Sequence, residues 1–300
     1  MEPRKTMECL IVGTMGFDTV ETPSETRKRQ LGGSAYFSAI GASLFAPVRL
    51  VASAGYDFTE EDQQAFAGKV INLDGVYCDP ARPTFTWHGR YTEGFEERDT
   101  DDLQNNALDY FEPTISKEAA DCPFALICNF DPDVQAKAIN KLPADRFFLL
   151  DTIEKWIDEK RSAFLELALQ CGLLVINNQE AEKLTETKDI KAAGQMMLDW
   201  GIAAVIIKQG DKGSHLFHPE GEHKVGICPA EAIIDPTGAG DTYAGTILGY
   251  ITSRADAGFE SIKEAMTWGA AAASFTIESF SAERLASVSL AEVEARRKTL

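Results

Sequence analysis

The sequence predicts an α/β doubly wound sandwich, with a mostly parallel central sheet between helix layers and a small β lid. Three observations lead there. Short runs of Leu, Ile and Val lack polar alternation, as in Leu173-Leu174-Val175-Ile176, and suit strands covered on both faces. Longer stretches with helical spacing fall between those runs. One segment breaks the rhythm by alternating strictly, which places it in a second sheet standing away from the core.

Taken in order, residues 9–12 and 48–52 read as buried strands, with a helix over 35–44 between them. Residues 84–91 form the alternating segment. Phe85, Trp87 and Tyr91 share one face, and Thr84, Thr86, His88 and Arg90 share the other. The acidic stretch over 93–102 that follows reads as a solvated loop. Buried strands are then predicted over 124–129, 147–151, 173–177 and 203–208, with helices over 160–170 and 192–200. A late helix carries Ile247, Leu248 and Ile251, and the small residues of 268–274 allow close packing against a neighbour. No repeat or Pro/Gly/Ser-rich linker divides the chain, so residues 1–300 are expected to form one unit, with a lid built from about 14–24 and 76–108.

Composition removes several classes of function. The 29 Lys and Arg face 47 Asp and Glu, a formal charge of −18 that repels phosphate backbones and anionic bilayers. Nucleic-acid and membrane partners are therefore not expected. The 6 cysteines are scattered without a Cys-x-x-Cys pair, and several sit in apolar runs such as Leu126-Ile127-Cys128, as buried thiols do. His215 and His218 point to opposite faces of a strand, and His88 and His223 are isolated, so no metal-ligand spacing is met. The first apolar run is too short for a signal or a span, so a cytoplasmic location is expected.

In open α/β sheets, ligands gather at the carboxyl ends of strands. Asp18, Asn129, Asp131, Asp151, Asn177 and Asp235 occupy such ends. The segment that carries chemistry is Asp235-Pro236-Thr237-Gly238-Ala239-Gly240-Asp241, entering the late helix. Gly238 and Gly240 turn the backbone sharply and leave amides uncovered at a helix N-terminus, where unpaired N–H groups and the helix dipole attract anions. Asp241 in the first helical turn can accept a proton from an incoming hydroxyl beside that anion cradle. As punctuation alone, the same residues would be an Asp-Pro turn with Asp241 as a cap. Neither a P-loop nor a dinucleotide fingerprint occurs in the chain.

At these residues the sequence resembles the ribokinase-like (PfkB-type) carbohydrate kinases, whose signature Asp-Thr-Thr-Gly-Ala-Gly-Asp is matched from Asp235 to Asp241 except at Pro236. The resemblance implies a ribokinase-like fold, ATP and Mg²⁺, Asp241 as general base, and an anion hole from Gly238, Ala239 and Gly240. It also implies acceptor contacts at Asp18, Gly32, Gly33 and Asn129. Asn177-Asn178-Gln179-Glu180 resembles the Asn-x-x-Glu motif, with Glu180 acting on Mg²⁺ through water. Asn177, Lys208, Gly210, Gly213 and, in the small-residue helix, Ala271 are implied at the nucleotide. Asp235 is implied near a monovalent cation such as K⁺, and a homodimer through the lid is an arrangement relatives adopt. One departure bears on substrate: relatives using simple sugars carry Asn where this chain has Phe37, which removes an amide from the acceptor site. The acceptor is accordingly expected to be a sugar or a sugar-containing molecule, with a nucleoside as the alternative suggested by Phe37, Phe85, Trp87 and Tyr91. A ligand sensor that lost turnover is the third reading, opposed by the intact Asp241, Glu180 and glycines.

Overall fold

Alternate residues of each buried strand feed two separate cores. In the first strand Cys9 and Ile11 join one cluster, while Leu10 and Val12 join the other. That double burial is what an uninterrupted apolar run requires. The computed structural model describes residues 7–95 and 98–300. Its strands are β1 (Cys9–Val12), β2 (Gly16–Glu21), β3 (Thr26–Gly32), β4 (Val48–Gly55), β5 (Ile71–Asp79), β6 (Phe85–Tyr91), β7 (Arg98–Gln104), β8 (Phe124–Ile127), β9 (Phe147–Leu150), β10 (Leu173–Asn177), β11 (Val205–Lys208), β12 (Ser214–His218) and β13 (Gly221–Val225).

The large sheet runs in the order β13-β12-β11-β10-β9-β8-β1-β4-β5. All neighbours from β5 to β11 pair parallel, and β12 and β13 add an antiparallel edge. One face packs on the helices Ser34–Ala42, Ala239–Arg254 and Phe259–Thr276. The other packs on Pro132–Ile139, Glu154–Ala168, Asn178–Thr185 and Ile190–Asp199. The helices Ser34–Ala42 and Ala239–Arg254 touch backbone to backbone, since a Cβ on Gly249 would stand 2.3 Å from the Ala42 carbonyl oxygen. The doubly wound architecture thus follows the expectation, with most strand ends within a few residues.

The small sheet has the order β3-β2-β6-β7. Two of its strands depart from the sequence reading. Residues 98–104 form β7 where a solvated loop was expected, and 96–97 of that stretch lie outside the described residues. Two residues of β7 find partners across the sheet: Asp101 pairs with Arg90, and Thr100 accepts a hydrogen bond from the Trp87 indole at 3.1 Å. β3 carries Thr26, Arg27, Lys28 and Arg29 with no apolar alternation, yet pairs antiparallel with β2. Residues 76–79 belong to β5 of the large sheet rather than to the small one.

Candidate active site

The segment after β13 builds a cradle by local rules. The Asp235 carboxylate, 1% exposed, accepts the Thr237 N–H at 2.9 Å and bends the chain into a turn. Gly238 continues it with φ +77°, a left-handed conformation, and a Cβ there would press into the Phe37 ring at 2.3 Å. The helix Ala239–Arg254 then begins, with Asp241 in its first turn. The Ser38 hydroxyl donates to the Asp241 carbonyl at 3.0 Å and ties the two helices together under the cradle. One amide leaves the expected set. Ala239 N–H donates to the Pro236 carbonyl at 3.3 Å because the Asp-Pro-Thr-Gly turn closes on itself.

A cation stands over that cradle. The Lys208 ammonium lies 3.0 Å from where a Gly240 Cβ would be, so a side chain there would displace it. It ends β11 beside Asp151, at 3.5 Å, which follows the end of β9, and near Glu180 after β10. Burial alone would lower the Lys208 pKa, but the charges of Asp151, Glu180 and Asp241 outweigh it and hold the pKa up. Burial raises both carboxyls, Asp151 and Glu180, against the opposing pull of Lys208. The Asn-x-x-Glu segment also works as a helix cap: Asn177 N–H donates to Glu180 at 2.7 Å and Glu180 N–H donates to the Asn177 side chain at 2.8 Å.

These groups line one end of a cavity of about 490 Å³. Asp18, Gly33, Phe37, Asn129, Asn177, Glu180, Lys208, Gly238, Gly240 and Asp241 all line it, as do Asp131 and Asp151. Gly32 stands behind Asp18, and a Cβ on it would fall 1.9 Å from the Asp18 carboxylate. Phe37 is 2% exposed, packs on Gly238, and lines the cavity at the position where the sequence lacks an amide. Asp235 is buried under the turn, and Gly210 and Gly213 lie in the turn after β11, outside the cavity lining. Ala271 is fully buried in the core between the helices and lies outside this cavity's lining.

Of the rest of the wall, sequence reasoning named Phe85 and Trp87 as rings that could stack on a base and missed the others. Phe85 and Trp87 of the lid face Phe130 and Trp156 of the body, with Leu103, Asn105, Leu108 and Asp109 beside them. Trp156 donates its indole N–H to the Asn129 side chain at 2.9 Å, which fixes ring and amide together. The Tyr91 hydroxyl bonds Thr237 at 2.9 Å and joins lid to cradle. Of these, Phe85, Trp87 and Tyr91 were named from the sequence, through the alternation of 85–91. On the outer lid face His88, expected to be isolated, bonds Glu21 at 2.9 Å and stands near Asp101, with Arg90 pairing with both carboxylates.

A family model described as "pfkB family carbohydrate kinase" matches residues 12–287. The chain belongs to that family. This pfkB kinase is a phosphotransferase acting on sugars or nucleosides. It is similar to the cytidine kinase of Thermococcus kodakarensis, at 28% identity over 256 residues covering 83% of this chain and 90% of that protein. The solved nucleoside kinase of Burkholderia thailandensis in complex with inosine superposes with a TM-score of 0.82 at 19% identity, over 97% of this chain and 96% of its own. Arabidopsis thaliana ribokinase complexed with ribose and ATP gives 0.76 at 21% identity, over 98% and 99%. At those identities the structures establish the ribokinase fold of this pfkB kinase. Among its described residues no helix is long and apolar enough to cross a membrane.

Proposed function

We propose that this enzyme transfers the γ-phosphoryl group of ATP to a hydroxyl of a nucleoside, with Asp241 as general base. The observation that carries the reading is one cavity lined both by the base, the glycine turn and the cation and by the aromatic rings of Phe37, Phe85, Trp87, Phe130 and Trp156. ATP lies along the strand ends of β10 and β11, at Asn177 and Lys208, with Gly210 and Gly213 in the adjoining turn. The Gly240 amide and the Lys208 ammonium face the transferring group, where charge spreads over its oxygens. Asp241 takes the proton of the attacking hydroxyl as that oxygen bonds to phosphorus and the bond to ADP breaks.

Asp151 and Glu180 offer oxygen ligands of the kind a hard divalent cation takes, so Mg²⁺ would fit beside Lys208, with Glu180 reaching it through water. When bound, it neutralises charge on the phosphates. The buried Asp235 carboxylate under the cradle is suited to a monovalent cation such as K⁺. Asp18, Gly33, Asn129 and Phe37 surround the acceptor. The similarity to a cytidine kinase favours a nucleoside over a free sugar, as does the replacement of a sugar-binding amide by Phe37.

A panel of pentoses, hexoses and nucleosides with ATP and Mg²⁺ tests the reading. Turnover of nucleosides is the expected outcome, and turnover confined to free sugars would overturn it.

A further inference from the structure

We propose that Asp109 and Asn105 read an exocyclic amino group on the acceptor base, so that the enzyme prefers amino-bearing nucleosides to their keto counterparts. The inference rests on the nucleoside reading above and adds which bases it selects.

Both residues follow β7, in and beside the short helix Asn106–Tyr110. That helix is pinned to the body. Asn106 donates to the Thr84 carbonyl at 3.0 Å, Ala107 N–H to the Pro83 carbonyl at 3.1 Å, and Ser53 of β4 to the Ala107 carbonyl at 3.4 Å. It therefore stands over β4, which is separated in the sheet from β10 and β11 by β1, β8 and β9. Asn177 and Lys208 are on β10 and β11, so Asn105 and Asp109 line the cavity on the side away from Lys208. The reacting hydroxyl must meet Asp241, and that side receives the part of the acceptor most remote from it. In a nucleoside that part is the base.

The chemistry of that end is one-sided. Asn105 Nδ2 donates to Asp109 Oδ1 at 2.7 Å, which orients both groups. The amide thereby spends a donor on its neighbour. Among the described residues the second carboxylate oxygen of Asp109 accepts nothing further, and Asp109 lines the cavity at its exposed rim, where it outweighs the one N–H that Asn105 keeps. Leu103, Leu108, Phe85 and Trp87 line the same end and suit a flat ring lying between them. A carboxylate beside a base edge accepts from an amino group such as that on C4 of cytosine. A carbonyl oxygen in the same place sets acceptor against acceptor, and a site built to bond one group discriminates against the analogue lacking it.

The test uses the full chain with ATP and Mg²⁺, comparing kcat/KM for cytidine against uridine and for adenosine against inosine. The amino member is expected to lead by about tenfold in each pair that turns over. Asp109→Asn keeps an oxygen for Asn105 to donate to and adds an N–H₂ that can meet a carbonyl, so the ratio should shrink or reverse while KM for ATP holds. A purely structural role would slow both members alike and leave the ratio intact. Equal rates for amino and keto members, or a ratio unmoved by Asp109→Asn, overturn the inference while the nucleoside reading stands. Failure of every nucleoside beside a sugar that turns over sinks both.

Discussion

Asp241 and Lys208 approach the same cradle from different parts of the chain, and in the proposed reaction one takes a proton while the other meets a phosphate. Asp241→Asn preserves the side-chain shape and the Ser38 contact to its backbone carbonyl, but deletes the proton acceptor. Its kcat is expected to fall by about 10²–10⁴-fold with the melting temperature nearly unchanged, read by steady-state assay and thermal denaturation. Near wild-type turnover would remove Asp241 from the role. Lys208→Met keeps the stem and removes the ammonium from above Gly240, so transfer should slow by about 10²-fold or more, more in kcat than in KM for the acceptor. An unaffected kcat would show that the cation only balances Asp151 and Glu180. At this scale the sequence was legible wherever the chemistry was contiguous, as from Asp235 to Asp241. It was silent on the company Lys208 keeps, because Asp151 and Glu180 come beside it only through the neighbouring order of β9, β10 and β11. The closed turn that takes the Ala239 amide out of the cradle was equally invisible in a list of residue types.

Elements were read well when burial alone decided them. β1 and β10 were delimited in advance because both faces of these strands are apolar. β7 and β3 were not, since their stability comes from neighbours across the lid and from cross-strand charge pairs rather than from their own hydrophobicity. The small residues of the helix Ala239–Arg254 belong to the same lesson. Gly245 and Gly249 serve contact with the helix Ser34–Ala42, where a Cβ on Gly245 would stand 2.1 Å from the Ser38 carbonyl oxygen. Gly249→Leu must push those helices apart, and it is expected to destabilise the fold by about 1–3 kcal/mol, seen as a lowered urea midpoint. Since Phe37, Ser38 and the cradle hang on the same pair of helices, catalytic rate should fall with it. An unshifted midpoint would mean that the helices separate at little cost.

The whole molecule divides its work along the large sheet. In the proposed reaction β10–β11 serve the nucleotide side and β1 and β4 the acceptor side, where Phe85 and Trp87 of the lid also line the cavity. Such a division could be expected from the alternation of strand and helix, since ligands collect at strand ends in any open α/β sheet. What the alternation could not give is the seam between cover and floor. Tyr91 reaches down from β6 to the hydroxyl of Thr237, within the very loop that presents the Gly240 amide. This bond would carry any lifting of the cover to the phosphate seat, so that a stray water would find the seat slack and the nucleotide spared. Cutting this tether with Tyr91→Phe should leave the seat taut under an open roof. Idle ATP hydrolysis, counted as phosphate released per molecule of product, is expected to rise, and an unchanged ratio would show that cover and seat move independently.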